Sequence, residues 1–174
     1  MAAPDGDQQA TADAVADGED AFNSIFEAHR RDVYRTALAI LGHHDEALDA
    51  VQETFLKVHL GLRSWRGESS LRTWIVRIAV RCSIDLRRRR SANREDESGS
   101  PEPFHDPRLG LEHSLRMARL RSLADRLTGQ SGLILRLRLF AGQSNKEIAT
   151  HLDLSEANVR VQLSHAVRRL KELL

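Results

Sequence analysis

The chain reads as all-α, two small helical modules joined by a flexible linker, and three features of the 174-residue sequence predict this. Apolar residues recur at helical spacing through two separate blocks. A stretch rich in Pro, Gly and Ser divides them. Hydrophobic content is 41% with only 5% aromatic residues, a composition that suits small helical cores better than sheets. The organisation that follows is an acidic disordered tail over 1–20, a first helical block over 21–90, a linker over 91–110 and a second block over 111–174.

In the first block, Phe22, Ile25, Phe26, Val33, Ala37, Leu38 and Leu41 trace one amphipathic helix, which Gly42 stops. A second helix runs from about Asp45 to Leu60 with Leu48, Val51, Phe55, Val58 and Leu62 as its stripe. A third starts near Ser69 or Ser70, buries Leu71, Trp74, Ile75, Ile78, Ala79 and Cys82, and ends in Arg87-Arg88-Arg89-Arg90. From Ser91 to Gly110 the periodicity vanishes while Gly99, Pro101, Pro103 and Pro107 accumulate. The second block opens with a helix over about Leu111–Leu127 and another over about Ser131–Phe140.

The last thirty residues are the most specific. Ser144 and Glu147 are spaced as a capping box, which fixes where a short helix begins. Gly142 suits the end of the helix before it. Ile148, Ala149 and Leu152 make an apolar face on which a second helix can cross closely, Leu154 plugs the corner and Ser155 caps the final helix. There Val159, Leu163, Ala166, Val167, Leu170 and Leu174 form one narrow stripe. Cap, short helix, tight turn and longer helix are the order of a helix-turn-helix, which reads the major groove of DNA. Opposite the stripe lie Ala157, Asn158, Val161 and His165, flanked by Arg160, Gln162 and Ser164. Asn and Gln can pair with adenine, Arg with guanine, and a methyl-bearing side chain with thymine.

Charge and exclusions narrow the function. The net charge of +1 hides an asymmetry: residues 1–20 carry six acids and no Lys or Arg, so the remainder has 26 basic against 19 acidic side chains, a net of +7. Such a body is attracted to polyanions. Of the basic residues only Lys57, Lys146 and Lys171 are not Arg, and Arg forks well to phosphate. No apolar run is long enough to span a membrane and no signal sequence is visible, so a cytoplasmic protein is expected. The single Cys82 lies on an apolar stripe and reads as core. No phosphate loop, HExxH or Cys/His cluster is present and His43-His44 lacks spaced partners; no catalysis, cofactor or metal is expected. In the segment from Asp49 to Phe55, the polar residues Asp49, Gln52 and Glu53, and then Lys57, fall opposite the apolar stripe and could meet a partner protein or water.

These segments together resemble the sigma-70 family of bacterial RNA polymerase specificity subunits, in particular its small extracytoplasmic-function (ECF) group. DEALDAVQETFLKV is similar to region 2.2, SWRGESSLRTWIVRIAVRCSIDLRRRR to regions 2.3 and 2.4, and GQSNKEIATHLDLSEANVRVQLSHAVRRLKELL to region 4.2. The resemblance implies a chain made of region 2, a linker and region 4. It implies that Asp49, Gln52 and Glu53 dock on the clamp helices of the polymerase largest subunit, with region 4 meeting the flap. It implies that the turn over 62–70 and the helix after it melt a minus-10 element, with Trp65, Arg66, Arg72, Arg77, Arg81, Arg87 and Arg88 as DNA-binding side chains. Capturing unstacked bases and gripping single-strand phosphates offsets the stacking lost on opening duplex. For the minus-35 element it points to Lys146, Ser155, Asn158, Arg160, Val161, Gln162 and His165. It also implies an anti-sigma factor that clamps the two modules.

The sequence departs from the family pattern at four places: Arg81 stands where Asn is usual, Thr128 replaces a usual Pro, and Gln162 and His165 occupy positions often held by Arg. Two other classes compete. A DNA recombinase would need strands in the N-terminal block, where three helical stripes stand instead. A one-component repressor or activator would bind duplex without core polymerase.

Overall fold

The computed structural model describes residues 19–93 and 111–173. Among them the chain forms seven α-helices, and no strand is found among the described residues. They are α1 (Glu19–Leu41), α2 (His44–Gly61), α3 (Leu71–Asn93), α4 (Leu111–Asp125), α5 (Gly129–Leu139), α6 (Asn145–Leu152) and α7 (Glu156–Glu172), with one 3-10 turn at Leu62–Ser64. Residues 1–18 of the acidic tail and nearly all of the 91–110 segment lie outside the described residues, while Glu19 and Asp20 begin α1. The first three residues of that segment continue α3.

Local chemistry explains the boundaries. Gly42 ends α1 with φ of 83°, a left-handed conformation that favours glycine, and its N–H closes on the Leu38 carbonyl at 3.0 Å. Asp45 and Glu46 occupy the first turn of α2, where the helix dipole favours negative charge. Ser70 accepts from the Thr73 N–H at 3.2 Å and so begins α3.

Helices α1, α2 and α3 enclose a first core of Ile25, Val33, Val51, Phe55, Val58, Leu71, Ile75 and Ala79. Phe55 anchors it, edge-on to Phe26 at 4.7 Å and to Phe22 at 6.4 Å. Leu174 lies outside the described residues, and among the described stripe positions two differ from the sequence expectation. Leu48 is 41% exposed and Val167 is 43% exposed, because Ala47 and Ala50 on α2, and Val159 and Ala166 on α7, take the contact lines of their helices. Trp74 is half-buried against the first core, and Cys82 is fully buried.

The second core is not confined to one block. Ala39 and Ile40 of α1 and Val76 and Val80 of α3 pack with Ile134, Leu137, Ile148, Ala149 and Val159 of α5, α6 and α7 and with Ala141 of the turn after α5. Each of these is nearly or fully buried, so the two blocks share one hydrophobic contact and separating them would expose it. Arg121 of α4 adds a tie by donating to the Leu38 carbonyl at 2.9 Å while its guanidinium lies 4.3 Å from the Phe140 ring centroid.

The turn between α4 and α5 replaces the rigidity of a proline with other devices. Thr128 is extended but makes no side-chain cap. Instead the buried Arg136 donates to the carbonyls of Ala124 and Leu127 at 3.0 and 3.3 Å, with Asp125 at 3.8 Å. Burial lowers its pKa to about 10, still far above neutrality, so the charge is retained.

Candidate nucleic-acid interface

The helix-turn-helix forms as its residues dictate. Ser144 Oγ accepts from the Glu147 N–H at 3.2 Å while Glu147 Oε2 accepts from the Ser144 N–H at 2.8 Å, a complete capping box. The Ser144 N–H bond to the carboxylate above all, together with Arg72 and the Ser144 hydroxyl, holds the Glu147 carboxyl at about 2. Asp153 ends α6 in the left-handed conformation at φ of 55°. Leu154 is half-buried on the shared core, as the corner plug expected. Ser155 then accepts from the Asn158 N–H at 3.1 Å and starts α7.

Val159 and Ala166 point into the protein, so the opposite face of α7 is free. Asn158, Arg160, Val161 and His165 are exposed on it, Gln162 is half-buried, and Lys146 is exposed on α6. Ser155 is exposed but spends its hydroxyl oxygen on the cap. The geometry therefore offers amide, guanidinium and methyl groups along one helix face, the chemistry that base edges in a major groove require.

On α2, Asp49 and Gln52 are exposed and Glu53 is half-buried. Glu53 is partly engaged within the chain, 2.9 Å from Lys57 and 4.0 Å from Arg89. Exposed Leu48, Leu56 and Leu60 share this helix; at 60% and 74% exposure the latter two give a polar surface apolar neighbours, a composition suited to protein contact.

The predicted minus-10 residues separate into groups. Arg66 and Arg88 are exposed, whereas Trp65 is half-buried, 6.5 Å from the Trp74 ring. Arg87 is turned inward and donates to the Ile40 carbonyl at 3.0 Å; burial lowers its pKa. Arg72, Arg77 and Arg81 face α6. Arg72 donates to Asp32 at 2.6 Å and to Glu147 at 3.0 Å, Arg77 donates to the Thr150 carbonyl at 2.8 Å, and Arg77 and Arg81 pair with Asp153 at 3.3 and 3.4 Å. The carboxylates raise the pKa of Arg72, Asp32 first.

Sequence reasoning did not find Glu147 and Asp153 as partners of these arginines, nor the chain Thr36–Gln143–His151. Gln143 Nε2 donates to Thr36 Oγ1 at 3.3 Å, and its Oε1 lies 3.0 Å from Nδ1 of the buried His151. Apart from Gln143 and His151, which are close in sequence, these pairs join residues more than seventy positions apart. Only the unusual placement of Gln143 and His151 beside an apolar helix face could have hinted at them. No group of three or more potential metal ligands is found among the described residues.

Comparison with known proteins agrees with this layout. The family description "Sigma-70 region 2" matches residues 25–93 and "Sigma-70, region 4" matches residues 117–170. The chain belongs to the sigma-70 family. Its relatives place it beside the ECF group: it is 29% identical to RNA polymerase sigma factor YlaC of Bacillus subtilis (strain 168), covering 88% of this chain and 91% of that one. It is 27% identical to ECF RNA polymerase sigma factor SigM of Mycobacterium tuberculosis (strain ATCC 25618 / H37Rv), covering 97% and 84%. Among solved structures, CnrH in complex with the cytosolic domain of CnrY shares the fold at a TM-score of 0.70 and 24% identity, covering 97% of each chain. The sigma factor RpoE of Bartonella quintana, in complex with the anti-sigma factor NepR, shares it at 0.66 and 22%, covering 87% and 95%.

Proposed function

We propose that this chain is an ECF-type sigma factor that binds core RNA polymerase, places α7 on a minus-35 duplex and uses α3 with the preceding turn to open a minus-10 element. The observation that carries the reading is the presence of region 2 and region 4 in that order on one chain, the second as a fully capped helix-turn-helix with a free recognition face. Asp49 and Gln52, with Glu53 beside them, meet the clamp helices of the polymerase largest subunit, and region 4 meets the flap. Lys146, Asn158, Arg160, Val161, Gln162 and His165 address the minus-35 element, with Ser155 as the cap that aims them. Trp65, Arg66, Arg72, Arg77, Arg81, Arg87 and Arg88 serve the minus-10 element, Arg87 by shaping α3 against α1.

The factor works by binding and melting, not by catalysis, and needs no cofactor. An acidic tail over 1–20, region 2 over 21–90, a linker over 91–110 and region 4 over 111–174 are the units of this reading. No described helix is long and apolar enough to cross a membrane, which fits action in the bacterial cytoplasm. The complexes named above support an anti-sigma partner for this chain too. Run-off transcription with purified core enzyme over a promoter library tests the assignment. Specific transcripts are expected only when both chain and core are present, and tight duplex binding by the chain alone would favour a one-component repressor.

A further inference from the structure

Three of the five α3 arginines assigned to promoter opening, Arg72, Arg77 and Arg81, are not free in this structure; all three are held by the helix-turn-helix. Glu147 and Asp153 place carboxylate oxygens 3.0 to 3.4 Å from the Arg72, Arg77 and Arg81 guanidinium groups, and the Thr150 carbonyl takes a further Arg77 donor. Carboxylates bind guanidinium as phosphates do, through the same N–H donors. A donor engaged by α6 is therefore withheld from a DNA strand. Apolar packing beneath the pairs supports the same arrangement, since Ile40, Val76 and Val80 are each no more than 2% exposed and lie against Ile134, Ile148 and Val159. The contact also turns region 4 against region 2, whereas the two promoter elements lie apart on the DNA.

We propose that Glu147 and Asp153 act as internal phosphate mimics that hold the free factor closed and self-occluded, so that promoter binding and closure compete for one set of arginines. This rests on the reading of α3 as the minus-10 helix. Core polymerase, by drawing the two modules onto separate surfaces, would release Arg77 and Arg81 together and leave Arg72 paired with Asp32 alone. The partly exposed pairs are individually weak, so the closed state is biased and not locked.

The test uses the full chain. Glu147→Gln keeps a residue able to complete the capping box, and Asp153→Asn keeps one that tolerates the left-handed conformation, while both lose their charge. The control E27Q/E172Q removes two exposed charges from the same protein away from the contact. Anisotropy with a forked promoter oligonucleotide, without polymerase, is expected to show E147Q/D153N binding about 3- to 10-fold tighter than that control. X-ray scattering is expected to show a larger radius of gyration. Equal affinity and equal radius for variant and control would overturn the latch. So would tighter binding that persists after Arg72, Arg77 and Arg81 are all changed to Ala. The underlying reading is checked separately: with core polymerase, the triple-Ala chain is expected to fail at promoter opening. Normal opening by that chain would overturn the minus-10 assignment, and with it the latch. Defective opening combined with an inert E147Q/D153N would overturn the latch alone.

Discussion

His151 Nδ1 lies 3.0 Å from Gln143 Oε1, and because the Gln143 amide nitrogen is committed to Thr36, the imidazole is the donor of this bond. Burial, above all, holds His151 down to about 4; Arg72 and Arg77 act in the same direction and Glu147 opposes them. The ring is thus neutral in the folded chain at pH 7. Unfolded, it titrates at the ordinary histidine value, so between about 6.5 and 4 the unfolded state binds more protons. Stability is expected to fall as pH drops through that window, by up to about 3 kcal/mol, and to be flat in this respect above pH 7. Urea midpoints at pH 7, 6 and 5 for the parent and His151→Gln check this, the variant losing the slope. Glu147, held at about 2 in the folded state, contributes stability that is present above its ordinary carboxyl range and is lost only as pH falls below it, so it does not confuse the interval from 5 to 7.

Gly132 packs so closely on the turn between α4 and α5 that a Cβ there would sit 2.0 Å from the Leu127 carbonyl oxygen. Backbone atoms cannot step aside as a flexible side chain can. Gly132→Ala is expected to destabilise by about 1–3 kcal/mol or more, despite the better helix propensity of Ala. A thermal midpoint at or above the parent value would contradict this packing.

Asp49 is exposed and no ion pair involving it is found among the described contacts. Asp49→Arg is therefore expected to leave helical content and melting temperature within error while abolishing co-purification with core polymerase. Retained co-purification would remove Asp49 from the polymerase interface.

Arg160 stands free on the recognition face of α7. Arg160→Ala is expected to weaken minus-35 recognition by about 1–3 kcal/mol, with discrimination relaxed at one base pair, if the side chain reads a base. Competition binding of holoenzyme to a set of minus-35 variants measures this. A uniform loss across all sequences would assign the side chain to phosphate.

Much of the architecture was legible because it is local. The capping box at Ser144, the cap at Ser155 and the stop at Gly42 depend on groups within a few residues of one another, and the structure shows each where the spacing predicts it. Apolar periodicity found every helix, with ends shifted by a few residues: α4 closes at Asp125 and α5 opens at Gly129, since the Arg136 bonds and the close Gly132 contact set that turn. Periodicity was less able to rank residues within a stripe. Leu48 and Val167 lie at the stripe margins, and small Ala47, Ala50 and Ala166 took the buried positions because they allow closer helix approach.

By itself the sequence determined the all-helical class, the caps, the free face of α7 and the family, because hydrogen bonds to nearby backbone and the 3.6-residue period are properties of short segments. Only the tertiary structure decided that Ile40, Val76 and Val80 share a core with α5, α6 and α7, that His151 is buried, and that Arg72, Arg77 and Arg81 face Glu147 and Asp153. Those outcomes depend on residues more than fifty positions apart. They are set by which apolar faces meet when the helices pack, and the charges near that contact then pair across it.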